Sequence, residues 1–85
     1  MKVKVLFFAG LREQIGAAAE EVELPASVTT VEGLRAHLGS RGGAFEKALA
    51  GRALVRAAVN QSMAQPSARI KAGDEVAFFP PVTGG

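Results

Sequence analysis

Glu75-Val76-Ala77-Phe78-Phe79-Pro80-Pro81-Val82-Thr83-Gly84-Gly85 is the stretch on which the reading of this 85-residue chain turns. Residues 75–79 alternate as a strand, with Val76 and Phe78 toward a core and Glu75, Ala77 and Phe79 away from it. Pro80 and Pro81 have no N–H to give to a sheet ladder, so they end the strand and send the last residues of the chain off the body in an extended direction. Gly84 and Gly85 have no Cβ, which suits them to a channel only as wide as the backbone. The expectation is a body over 1–79 and an extended arm over 80–85. Pro81, Val82, Thr83 and Gly84 form the inserting part of that arm, and Gly85 carries the α-carboxylate at its tip. Ten glycines in the chain leave a plainer reading open, in which the ending has no function.

Outward from this stretch, residues 70–74 read as a turn into the last strand. Residues 54–60 form another strand, in which Arg56 faces solvent, Val55, Ala57 and Val59 face inward, and Leu54 and Ala58 share the outer face. Asn60-Gln61 reads as a turn, and 62–64 as a short edge strand limited by Pro66. At the other end, residues 2–9 alternate with Val3, Val5 and Phe7 inward and Lys2, Lys4, Leu6 and Phe8 outward. A short helix over 10–15 closes at Gly16, and a strand over 20–24 sets Val22 and Leu24 against Glu21 and Glu23 before Pro25 stops it.

The main helix starts near Thr29-Thr30-Val31-Glu32. Thr29 and Glu32 have capping-box spacing, and Thr30 is an equal candidate for the cap. Val31, Leu34 and Leu38 lie on one face, Ala36 fills in beside them, and Gly39 ends the run. A second short helix over 44–50 pairs Phe45 with Leu49 and stops at Gly51. His37 has no second histidine or cysteine for company and reads as a surface or half-buried helix residue.

Side-chain parity gathers Leu6, Phe8, Leu54, Ala58 and Phe79 on the face away from the helix, more apolar surface than a free monomer leaves open. These residues are the expected partner interface. A loop, a second copy, or a register different by one residue are the alternatives for this face.

Composition narrows the function. The length fits one domain, and with no cysteine and one histidine neither a disulfide nor a structural metal site is expected. The net charge of +2 is scattered, the tight charge cluster Glu20-Glu21-Val22-Glu23 is acidic, and no basic stripe with interleaved aromatics marks a nucleic-acid site. No signal-peptide pattern and no run of bilayer length is present, so a cytoplasmic protein with no membrane partner is expected. The chain has no G-x-S-x-G, no phosphate-binding loop and no paired carboxylates; Asp74 and Glu75 are adjacent and project to opposite sides. The distinctive group is therefore the Gly85 carboxylate. A carboxylate is a poor electrophile until activated, and adenylation with ATP followed by attack of a persulfide sulfur would leave a C-terminal thiocarboxylate. The protein would then be a reagent rather than a catalyst.

Several stretches resemble a known family in order along nearly the whole chain. They are residues 3–9 followed by Leu11-Arg12-Glu13, Thr30-Val31-Glu32-Gly33-Leu34-Arg35, Ala58-Val59-Asn60-Gln61, Gly73-Asp74-Glu75-Val76-Ala77-Phe78-Phe79, and the ending from Pro80 to Gly85. Together they resemble the small subunits of molybdopterin synthase, sulfur carriers with a ubiquitin-like β-grasp fold. The resemblance implies an α+β domain, a mixed sheet packed on one main helix, with the first and last strands parallel at its centre. It also implies no bound cofactor, no metal and no catalysis by the chain alone. A ubiquitin-activating-enzyme-like adenylyltransferase would use ATP to activate Gly85, and a sulfur donor protein would supply the thiocarboxylate sulfur. The tail would then enter the active site of a large subunit, within a heterotetramer, where two deliveries convert cyclic pyranopterin monophosphate to the dithiolene of molybdopterin. A carrier for the thiamine thiazole and a ubiquitin-like protein modifier or interaction module are the alternatives.

Overall fold

The computed structural model describes residues 1–50 and 54–81. Along them run β1 (Lys2–Phe7), α1 (Ala9–Ile15), β2 (Ala19–Glu23), α2 (Val31–Gly39), α3 (Gly43–Leu49), β3 (Arg56–Val59), β4 (Ser62–Ala64) and β5 (Glu75–Phe79). The strands form one mixed sheet in the order β2-β1-β5-β3-β4. β1 is antiparallel to β2 and parallel to β5, and β5 is antiparallel to β3. Parallel neighbours cannot be joined by a tight turn, so β1 and β5 need a long crossover between them, and α2 lies within it. The result is the α+β fold expected, with the first and last strands paired at its centre.

Strict alternation builds the core. Val3, Val5 and Phe7 of β1, Val22 of β2, and Val76 and Phe78 of β5 are all buried, while their neighbours along each strand are not. Leu34 and Leu38 of α2 close over them, and Leu11, Ala48 and Leu49 bring α1 and α3 into the same cluster. Each such large apolar side chain contributes about 1.5–3 kcal/mol by leaving water. Ala36, expected to fill in beside Leu34, is exposed instead, because it lies past the edge of the buried stripe. Gly39 is the last residue of α2, as expected, although not in a left-handed conformation. It is buried inside the last turn of α2, where a Cβ would sit 3.2 Å from the Cβ of Ala50, so it serves close packing of the segment after α3 rather than a left-handed stop.

Local chemistry sets the ends of the elements. The Gly33 N–H donates to Thr30 Oγ1 at 3.0 Å, which makes Thr30 the cap of α2. The N–H groups of Val31 and Glu32 donate to the carbonyls of Ala68 and Pro66 at 3.0 and 2.8 Å, so the loop after β4 satisfies the rest of that helix start. β1 stops at Phe7, two residues short of the expected 2–9, because Ala9 turns into the left-handed region (φ 52°) and begins α1. Gly16 ends α1 at φ 83°, its N–H donating to the Arg12 carbonyl. β3 starts at Arg56 rather than residue 54, and Asn60 (φ 49°) and Gln61 (φ 70°) make the two-residue turn into β4. Positive φ at both central residues is the type I′ geometry that matches strand twist.

Arg41, just after α2, forms a cross-link not foreseen from sequence. Its guanidinium meets Glu20 at 2.7 Å and lies 4.8 Å above the ring of Phe45, which in turn packs edge-on against Phe7. The acidic cluster of β2 is thereby tied to α3 and the core.

Candidate functional site: the outer face of the sheet

Strand register determines what the face away from the helices displays. Leu6 pairs with Ala19 on one side and Ala77 on the other, Ala77 pairs with Ala58, and Ala58 with Met63. Paired residues point the same way, so one apolar row crosses all five strands. Nearer the end at which β5 leaves the sheet stand Phe8 and Phe79. Leu6, Phe8, Ala58, Ala77 and Phe79, with Gln61 and Glu75 as polar members, line a shallow depression of about 460 Å³. Phe8 is 45% exposed and Met63 62%, so this surface is open to solvent.

The opposite end of the same face is charged. Lys4 pairs with Glu21 and Glu75, and Lys2 with Glu23, while the terminal ammonium reaches Glu23 at 3.1 Å. Polarity therefore runs along the strands: ion pairs where β1 begins, and where β5 ends a mainly apolar surface bordered by Arg56, which pairs with Phe79. Pro80 and Pro81 follow Phe79 directly at the apolar end, and both are half-buried.

Four of the five expected interface residues, Leu6, Phe8, Ala58 and Phe79, come together around the depression. Leu54 does not. It precedes β3 by two residues, so strand parity does not apply to it, and it stands 77% exposed away from the depression. Val82, Thr83, Gly84 and Gly85 lie outside the described residues, as does Gly51. Ala77 belongs to this face by parity, but its small side chain gives it little weight in the sequence. Ala19 and Met63 join it through register alone, for which their local sequence carries no signal.

Beneath the Glu75 end lies a buried carboxylate, Asp74. It accepts hydrogen bonds from the Lys71 N–H at 2.9 Å and from Asn60 Nδ2 at 3.1 Å. The Lys71 N–H holds the Asp74 carboxyl below its ordinary value against burial, which pushes it up, with Asn60 and the Lys71 charge adding to the lowering. A second cleft, of about 480 Å³, opens between α2 and the β3–β4 hairpin, lined by Val31, Val55, Met63, Pro66 and Phe78 among others, with Arg35, Arg56 and Glu32. Among the described residues its lining sets no Ser, Thr, Cys or His beside the Glu32 carboxylate. Among the described residues no group of three or more His, Cys, Asp or Glu is placed to hold a metal ion, and no helix is long and apolar enough to cross a membrane.

A mixed sheet with a parallel central pair, a capped helix across its inner face and a chain exit beside an apolar outer face together define a ubiquitin-like β-grasp domain. Within that class the assignment is specific: residues 5–85 match the ThiS family, and the chain belongs to it. It is 48% identical over 83 residues to the molybdopterin synthase sulfur carrier subunit of Escherichia coli K12, covering 98% of this chain and 99% of the relative. The protein of the same description from Haemophilus influenzae is 45% identical over 84 residues, with 98% and 99% covered. Among solved structures, small archaeal modifier protein 1 (SAMP1) from Haloferax volcanii superposes with a TM-score of 0.81 at 28% identity, covering 100% of both chains.

Proposed function

We propose that this chain is the sulfur-carrier subunit of a molybdopterin synthase, charged at Gly85 and discharged inside a larger partner subunit. The observation that carries the reading is the 48% identity, end to end, with a relative of that description. The geometry supports it. Residues 1–79 serve as the folded carrier and 80–85 as the delivering arm, and the arm starts where the outer face is most apolar.

In this reading a ubiquitin-activating-enzyme-like adenylyltransferase binds the carrier, and the Gly85 carboxylate attacks the α-phosphorus of ATP, releasing pyrophosphate. The terminal sulfur of a donor-protein persulfide then attacks the acyl-adenylate and AMP leaves; a second thiol, supplied by the donor side because this chain has no cysteine, cleaves the resulting acyl disulfide, which leaves the thiocarboxylate on Gly85 and a disulfide on the donor side. Leu6, Phe8, Ala58 and Phe79 dock the body while Pro81, Val82, Thr83 and Gly84 pass into the large subunit's active site. The chain binds no cofactor of its own, and the catalytic groups belong to the large subunit of a cytoplasmic heterotetramer.

The test is the intact mass of the chain after incubation with the activating partner, ATP and a sulfur donor. Replacement of one oxygen by sulfur at Gly85 is expected, and its absence sinks the proposal. A second reading, a protein modifier, draws on the likeness to SAMP1. Gly85 joined through an isopeptide bond to lysines in cell extracts would favour it. Recovery of a thiazole synthase, rather than a molybdopterin-synthase large subunit, would favour a carrier for the thiamine thiazole.

A further inference from the structure

The register of β5 is weakly specified by burial. Val76-Ala77-Phe78-Phe79 is apolar on both faces, so a slip of one residue would still place one phenylalanine inside and one outside. Its parallel neighbour, Val5-Leu6-Phe7-Phe8, has the same ambiguity. A slip would nevertheless turn Phe79 into the core and move the start of the arm by about 3.3 Å.

Asp74 and Asn60 distinguish the two registers. Asp74 is 5% exposed, and its two oxygens are satisfied separately, Oδ1 by Asn60 Nδ2 and Oδ2 by the Lys71 N–H. Asn60 in turn accepts from the Glu75 N–H at 3.0 Å and donates its own N–H to the Glu75 carbonyl at 2.8 Å. The hairpin turn, the turn before β5 and the first residue of β5 are thus bound to one another. A displacement of one residue breaks these contacts and leaves a buried carboxylate short of donors, which costs far more than exchanging Val76 for Ala77 in the core.

We propose that Asn60 and Asp74 are a register clasp for β5, and hence positioning residues that present Phe79 and the arm after it to the partner. The role in delivery rests on the carrier reading above; the clasp itself does not. It gives a use to two sequence stretches, around Asn60 and around Asp74, that have no part in the sulfur chemistry.

The experiment compares Asn60→Asp, Asp74→Asn and the two changes combined, in the full chain. Each single change sets like groups against each other, whereas the combination restores the pattern with roles exchanged: the amide at 74 donates to the carboxylate at 60 and still accepts from Lys71. Amide hydrogen exchange is read by NMR, alongside KM and kcat for sulfur delivery to the large subunit. In the single variants the amides of β5 and of Phe8 should exchange about tenfold faster, with those of α2 little changed, and KM should rise by a similar factor while kcat holds. The combined variant should return to within about twofold of the original. Losses spread evenly over α2 and β5, or a combination no better than the single changes, would overturn the clasp. Loosened β5 with unaltered KM would overturn the positioning role. If the unsubstituted chain delivers no sulfur, the carrier reading fails and the exchange pattern still decides the clasp.

Discussion

Phe7 of β1 pairs directly with Phe78 of β5, both buried, and the next residue of each strand, Phe8 and Phe79, lies against the depression on the opposite face. Two adjacent phenylalanines in each central strand therefore do different work, one holding the fold and the other shaping its exposed surface. Phe78→Ala should cost about 3–5 kcal/mol of folding stability, the range for emptying a packed aromatic site. Phe79→Ala should leave the urea midpoint nearly unchanged but, on the proposed function, weaken binding to the proposed large subunit by about 1–3 kcal/mol. Urea denaturation and titration calorimetry on the two variants separate the roles, and equal effects on both measurements would show that the faces are not independent.

The turn between β3 and β4 offers a gain. Gln61 sits at φ 70°, where a side chain bearing a Cβ is strained and glycine is not. Gln61→Gly should raise stability by about 0.5–1 kcal/mol, less than the full strain because glycine also loosens the unfolded chain. Thermal unfolding would register it as a higher Tm, and a lower one would mean that the Gln61 side chain makes a compensating contact.

Asp74 should shape the acid limb of stability. Its carboxyl titrates below the ordinary value of 3.8 in the folded chain, first because the Lys71 N–H is bonded to the charged form. A group with a lowered folded pKa contributes stability that is complete above its unfolded value and lost as pH falls through the folded one. The stability gap between the original chain and Asp74→Asn should therefore be constant near neutrality and shrink below about pH 4, the ordinary carboxylate range. Urea midpoints measured across that range check the sign; a gap that widens in acid contradicts it.

Gly84→Val tests the arm. The substitution falls in the proposed arm, so cooperative unfolding should be unchanged, while a branched side chain should obstruct passage through the proposed backbone-wide channel. Sulfur transfer should fall by at least about a hundredfold, the cost expected for misplacing a reacting group. Transfer at the original rate would refute the channel.

Much of the fold was legible because its signals are local. Alternation in Val3, Val5 and Phe7 and in Val76 and Phe78 places those residues in the core whatever their partners, since a period of two is a property of the strand itself. The start of α2 was readable to within one residue, and Thr30 was settled as its cap by the Gly33 N–H. Leu54 reads as part of β3 because it is apolar and follows the alternation, whereas the ladder opposite Phe79 begins only at Arg56. Gly39 ends α2 as its sequence position indicates, but its close packing against Ala50 is visible only in the tertiary structure.

The sequence by itself determined which strand side chains turn inward and where α1, β4 and β5 end. Tertiary structure decided which strands lie side by side, and so which outward residues become a surface. Ala19, Leu6, Ala77, Ala58 and Met63 come from five separate strands; parity turns Leu6, Ala77 and Ala58 outward, but only register sets the five in one row. The same holds for Asp74 and Asn60, fourteen residues apart, whose bond exists because β5 lies between β1 and β3. The reason is physical: alternation and capping act over a few residues of one segment, whereas register is set by hydrogen bonds between segments that meet only once the chain has folded.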